Sequence, residues 1–163
     1  MILVVTGTHP QQFNRLLRNV DLLIKNKIVK EIVIMQTGYS DYVPKYAKWF
    51  RFTGYENMLQ LLRRASIVIT HGGIGSVLLS IKLHKKTIVM PRLRKFNEHT
   101  NDHQLEIVHE LSKQNKIIPV YDTIQLIDAI NKSKFFLPIK TTRNTKILNA
   151  ISTFLENLEG SYA

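Results

Sequence analysis

No cysteine occurs among the 163 residues. That excludes disulfides, thiolate nucleophiles and cysteine-based metal sites, and it fits an intracellular setting. No run of about 18 apolar residues occurs either, so nothing in the sequence reads as a membrane-spanning helix. The opening Met1-Ile-Leu-Val-Val is short and has no basic stretch before it. It reads as a buried first strand rather than a secretion signal. There is no G-x-x-x-x-G-K-S/T, which excludes a P-loop. Internal repeats and low-complexity segments are missing too. The most telling absence is of acid: no Asp or Glu lies between Glu56 and Glu98.

What is present starts with charge. The formal net charge is +11, and hydrophobic residues make up 44%. The length and apolar content suit one domain with a real core. The charge implies an anionic partner: nucleotide, nucleic acid or membrane surface. The acid-free stretch carries Arg63, Arg64, Lys82, Lys85, Lys86, Arg92, Arg94 and Lys95.

Hydrophobic patterning predicts strands at Ile2–Thr6, Glu31–Met35, Trp49–Phe52, Ser66–Thr70, Thr87–Met90 and Ile117–Val120. Helices are predicted at Gln11–Ile24, Tyr55–Arg64, Ile74–Leu83, Asp102–Gln114 and Thr123–Ile130, the last with Thr123 as N-cap. The strands are short, apolar on both faces and alternate with helices. That is the pattern of parallel strands covered on both sides, a Rossmann-like, doubly wound α/β sheet of about six strands. Residues 1–130 make this domain. Residues 131–142 read as a basic, proline-containing connector and Asn144–Leu158 as an amphipathic helix, so that 131–163 packs on the domain or on a partner.

The richest segment is Ile67-Val-Ile-Thr-His71-Gly72-Gly73-Ile74-Gly75-Ser76. A strand, a glycine turn and a helix start together make an anion site. Amides of the first helical turn are unpaired, the helix dipole is positive there, and glycine lets a phosphate come close. The turn lacks the third glycine of the dinucleotide fingerprint. His71 borders it and is a candidate ligand contact. A second polar cluster, Asn97-Glu98-His99-Thr100-Asn101-Asp102-His103-Gln104, opens the next helix. Its amides suit sugar hydroxyls and phosphates without the desolvation cost of a full charge. His9, beside Gly7, Thr8 and Pro10 in the first strand-to-helix turn, is the candidate general base for attack by a hydroxyl. His99, His103 and His109 have no metal-binding pattern, so no metal is expected.

Thr6-Gly7-Thr8-His9-x-Gln11-x-Phe13, His71-Gly-Gly-x-Gly-Ser76, Pro91-Arg92 and Glu98-His99-x-x-Asp102-His103-Gln104-Leu105-Glu106 occur in that order. This combination resembles the C-terminal, nucleotide-sugar-binding half of family 28 GT-B glycosyltransferases. It is most similar to the small stand-alone subunits of two-part bacterial exopolysaccharide and capsule enzymes, with Alg13-like subunits more distant. The resemblance runs from about Met1 to Ile130.

It implies an inverting transfer from a UDP-sugar to a lipid-pyrophosphate-linked sugar, usually with a β-1,4 bond and without metal or other cofactor. The diphosphate is then met by Gly72, Gly73, Gly75 and Ser76. The chain around Tyr55 pins the uracil, and Asn101, Asp102, His103 and Gln104 correspond to the donor-sugar site. Gly7, Thr8, His71, Arg92 and Glu98 join the donor-binding set. It also implies a membrane-associated, acceptor-binding partner, an Alg14-like half. That partner would bring a cytoplasmic chain to the inner face of the membrane. The chain departs from the pattern at Leu79, where relatives usually have an acid for the ribose, and at Pro10, where they often have an acid beside the histidine.

Two other roles stay open at this stage. One is a non-catalytic enhancer or scaffold subunit. The other is a nucleic-acid-binding domain, prompted by the charge but lacking helix-turn-helix, zinc or aromatic-strand motifs.

Overall fold

A computed structural model of the chain describes residues 1–138. Six parallel strands form one sheet: β1 Ile2–Val5, β2 Val33–Gln36, β3 Lys48–Phe50, β4 Ile67–Thr70, β5 Lys86–Val89 and β6 Ile118–Pro119. Their order is β3-β2-β1-β4-β5-β6. The chain winds outward in one direction from β1 and then restarts at β4 on the other side. β1 and β4 therefore flank the point where the winding reverses, which is where open α/β sheets bind ligands.

Alternate strand residues feed two cores, as expected of strands buried on both faces. Ile2, Val4, Ile67, Ile69, Ile88 and Met90 pack with Leu16, Leu17 and Val20 of α1 (Asn14–Lys25) and with Leu126, Ala129 and Ile130 of α5 (Leu126–Ser133). On the opposite face, Leu3, Val5 and Val68 meet Leu62 of α2 (Tyr55–Arg64). Val89 meets Val77 and Leu78 of α3 (Ile74–Lys82) and Val108 of α4 (His103–Lys113). Leu16 and Leu17 are fully buried, each contributing about 2–3 kcal/mol of burial.

Register puts the carboxyl ends level. Val5 pairs with Gln36 and Thr70, and Thr70 pairs with Val89. The turns after β1, β4 and β5 therefore leave the sheet along one rim.

The element ends differ from expectation for local reasons. α1 starts at Asn14 rather than Gln11. The Phe13 amide donates to Ser40 Oγ, and the Gln11 carbonyl accepts from Arg92, so these residues are held outside the helix. The N-cap before α5 is Asp122, not Thr123. The Asp122 side chain accepts the Ile124 amide at 3.1 Å while Gln125 Oε1 accepts the Asp122 amide, a capping box on a 3₁₀ turn. α5 runs past Ile130 to Ser133. β3 starts one residue early and ends at Phe50, and Phe52 stacks edge-on against Tyr39 instead. The helix expected at Asn144–Leu158 lies outside the described residues. Among the described residues, no helix is long and apolar enough to cross a membrane.

Candidate functional site

The glycine turn after β4 ends in Gly73, the N-cap of α3, which has no side chain to cap the helix. The first helical bond is from the Val77 amide to the Gly73 carbonyl. The amides of Ile74, Gly75 and Ser76 are therefore unmatched by any group among the described residues. Three free donors at a helix start form an anion-accepting corner. Gly75 is exposed, and a Cβ there would meet no protein atom within 4 Å.

Gly7 and Gly73 have another reason to be glycine. His71 is buried at the end of β4, with its ring lying between them. A Cβ on Gly7 would come 2.5 Å from His71 Cε1, and one on Gly73 would overlap His71 Nε2. Gly7 also has φ +79°, a conformation glycine adopts freely. Burial first, then the nearby Arg92 cation, lower the His71 pKa to about 4. At neutral pH the ring is an uncharged wedge between the turns after β1 and β4.

Gln104 joins the glycine turn to the loop after β5. Its Oε1 accepts the amides of both Gly72 and Arg92, each at 3.0 Å. Asp102, the N-cap of α4, turns its carboxylate to the Arg94 amide at 2.9 Å, and Asn101 Oδ1 accepts the His103 amide at 3.2 Å. His103 is exposed and 3.7 Å from Glu106. Of this cluster, Gln104 and Asp102 hold the loop, and His103 is open to solvent.

Arg92 and Glu98 are buried, at 1% and 4% exposure. The Arg92 guanidinium donates to the carbonyls of Thr6 (2.7 Å), Gln11 (2.7 Å), Gln12 (3.3 Å) and Glu98 (3.1 Å). Burial lowers its pKa to about 10, so it stays cationic. The Glu98 carboxylate takes a two-pronged bond from Arg15, at 2.9 and 2.8 Å, and also the Leu93 amide. The two terminal nitrogens of Arg92 and the Glu98 carboxylate thus tie the turn after β1 and the start of α1 to the loop after β5, while Arg92 Nε is buried without a partner among the described residues. Sequence alone gave no sign of the Arg15–Glu98 pair, 83 residues apart. The only hint was that Glu98 ends the acid-free stretch.

His9 stands over the rim with its ring stacked on His99, centroids 4.5 Å apart. Beside it a cleft of about 450 Å³ is lined by Pro10, Gln11, Gln12, Asn14, Arg15, Phe96, Asn97 and Glu98. Thr8 and Tyr55 are both exposed, Thr8 in the His9 turn and Tyr55 at the start of α2. Leu79, on α3, packs with the core beneath α2, so that position offers no polar group. Among the described residues, no group of three or more His, Asp or Glu is placed to hold a metal.

The model of the glycosyltransferase family 28 C-terminal domain matches residues 1–154. The chain is 26% identical over 148 residues to the UDP-N-acetylglucosamine transferase subunit ALG13 of Candida glabrata, covering 87% of this chain and 64% of that protein. It therefore spans just under two thirds of that relative. Among solved structures, the solution structure of ALG13 aligns with a TM-score of 0.56 at 18% identity, over 88% of this chain and 90% of that one. The glycotransferase of kitacinnamycin aligns with a TM-score of 0.62 at 13% identity, over 98% of this chain and 39% of that one.

Proposed function

We propose that this chain, which belongs to the glycosyltransferase family 28 C-terminal domain family, is the donor-binding subunit of a two-component, inverting glycosyltransferase. In this reading it takes a UDP-sugar, and a separate membrane-associated half binds a lipid-pyrophosphate-linked saccharide. The product is a β-1,4 bond in exopolysaccharide or capsule assembly. The chain works at the inner face of the membrane, brought there by its partner. Neither metal nor nucleic acid takes part.

One observation carries the reading. The uncapped start of α3 lies on the rim where the sheet's winding reverses, beside the His9 turn and the Gln104-braced loop. The diphosphate would sit on the free amides of Ile74, Gly75 and Ser76. The helix dipole and the surrounding acid-free stretch would then supply the positive potential. In the transfer, the acceptor hydroxyl oxygen bonds to the anomeric carbon from the face opposite UDP. The bond from that carbon to the UDP oxygen breaks, UDP leaves with the electron pair, and the hydroxyl proton passes to a base. Donors to rank are UDP-galactose, UDP-glucuronate and UDP-N-acetylglucosamine.

Hydrogen exchange with and without UDP tests the location. Protection of residues 72–76 and 92–104 is expected, and protection elsewhere alone would refute it. A scaffold role is the second reading, favoured by Leu79 facing the core where a ribose-binding acid would be needed. It predicts full transfer activity in the assembled enzyme when Gly75, which has open space beside it, is replaced by Asp.

A further inference from the structure

We propose that His9 and His99 act as one stacked pair presenting imidazole N–H groups to oxygen atoms of the UDP-sugar, with the stack against His99 helping to keep His9 a hydrogen-bond donor rather than a base. The inference rests on the donor-subunit reading above and deepens it.

The two rings arrive from different strands, His9 from the turn after β1 and His99 from the loop after β5. They stack with planes 28° apart. The backbone orients each ring in the same way. His9 Nδ1 accepts the Gln11 amide at 3.4 Å, and His99 Nδ1 accepts the Asn101 amide at 3.3 Å. A backbone N–H only donates, so each Nδ1 has its lone pair in use and the proton of the neutral ring sits on Nε2. Neither Nε2 donates to a group among the described residues, and neither is buried without a partner. Both N–H groups are therefore left for a ligand.

The frame behind the pair is rigid. Arg92 gathers the carbonyls of Thr6, Gln11 and Gln12, which flank His9, and of Glu98, which precedes His99. One buried cation thus fixes both loops and sets the ring spacing.

The surroundings of His9 disfavour its protonated form. His9 faces His99 and Arg92, with His71 beyond. Burial, then His99, then Arg92 lower its pKa. A second proton on His9 would put its charge against the Arg92 cation in a partly desolvated site. For His9 to take a hydroxyl proton at Nε2, it would first have to give up the Gln11 bond and move its own proton to Nδ1. The arrangement therefore makes it a donor to the substrate.

The test is imidazole ¹⁵N NMR on the full chain from pH 5 to 9, with and without UDP, for the native protein and for His99→Phe. The variant keeps a ring in the stack and removes its charge. His9 is expected as Nε2–H at pH 7, and the neutral form of His99 as the same tautomer. His99→Phe should raise the His9 midpoint toward 6.5, and UDP should move both Nε2 resonances. An Nδ1–H tautomer at His9, or a His9 midpoint unmoved in His99→Phe, would overturn the proposal.

His9→Gln in the assembled enzyme is the second arm. Glutamine keeps an N–H and cannot act as a base, so kcat within about tenfold of native is expected. A loss of 10²–10⁴, the usual contribution of a general base, would overturn the donor role. The two readings fail separately. Loss of UDP binding by the native chain removes the donor-subunit reading, whereas UDP binding with an Nδ1–H tautomer removes only this one.

Discussion

The His71 ring fills the space that a side chain on Gly73 would need. This one contact links the end of β4 to the glycine turn and gives that glycine a packing reason besides any ligand. Gly73→Ala should destabilise the fold by about 1–3 kcal/mol through overpacking. The cost should shrink in a His71→Ala background, because the two residues are in contact. Urea unfolding of the double-mutant cycle measures this, and additive costs would mean the ring moves aside freely.

Gly75 should behave in the opposite way. It sits in the first turn of α3 with open space beside it. Gly75→Ala should leave stability unchanged or raise it by up to about 1 kcal/mol, since alanine is the better helix former. UDP affinity should fall, because the added methyl stands where the phosphate would approach. Calorimetry and thermal unfolding on the same variant separate the two effects.

Arg92 and Glu98 should act on stability first. Lysine cannot reproduce the forked geometry of Arg92 toward four carbonyls. Arg92→Lys should cost about 3 kcal/mol from buried acceptors left unpaired. Glu98→Gln strands the mostly buried Arg15 cation (its side chain is 15% exposed) and should cost a similar amount. Denaturant midpoints at constant slope would check both.

His71 also sets a pH dependence. Its folded pKa is about 4, below the ordinary value near 6.5. Between those values the unfolded chain holds a proton on this residue that the native chain does not. Stability is therefore full above about pH 6.5 and falls as pH drops toward 4, by roughly 3 kcal/mol in all. His71→Gln should flatten that part of the stability curve. An unchanged slope would mean that the ring takes up a proton without unfolding.

The sheet was legible in the sequence because each strand is a short apolar run buried on both faces. The glycine turn was legible because its residues are contiguous. Less visible was why the site residues are there. Gly73 read as a phosphate-approach glycine and Gly7 as a donor contact, yet both also make room for His71, 64 residues from Gly7. Arg92 and Glu98 read as ligand contacts, and their terminal nitrogens and carboxylate oxygens bind backbone groups and Arg15. Such roles depend on long-range partners, and neither residue type nor local spacing encodes them. The Thr123 cap failed for a nearer reason: Asp122, one residue earlier, is part of a capping box with Gln125.

The most direct measurement is calorimetric titration of UDP into the full chain, alone and with the proposed membrane half, for the native protein and Gly75→Asp, where a side chain meets no protein atom. The account predicts saturable, one-to-one binding by the native chain that Gly75→Asp abolishes. No binding by the native protein in either setting would contradict it.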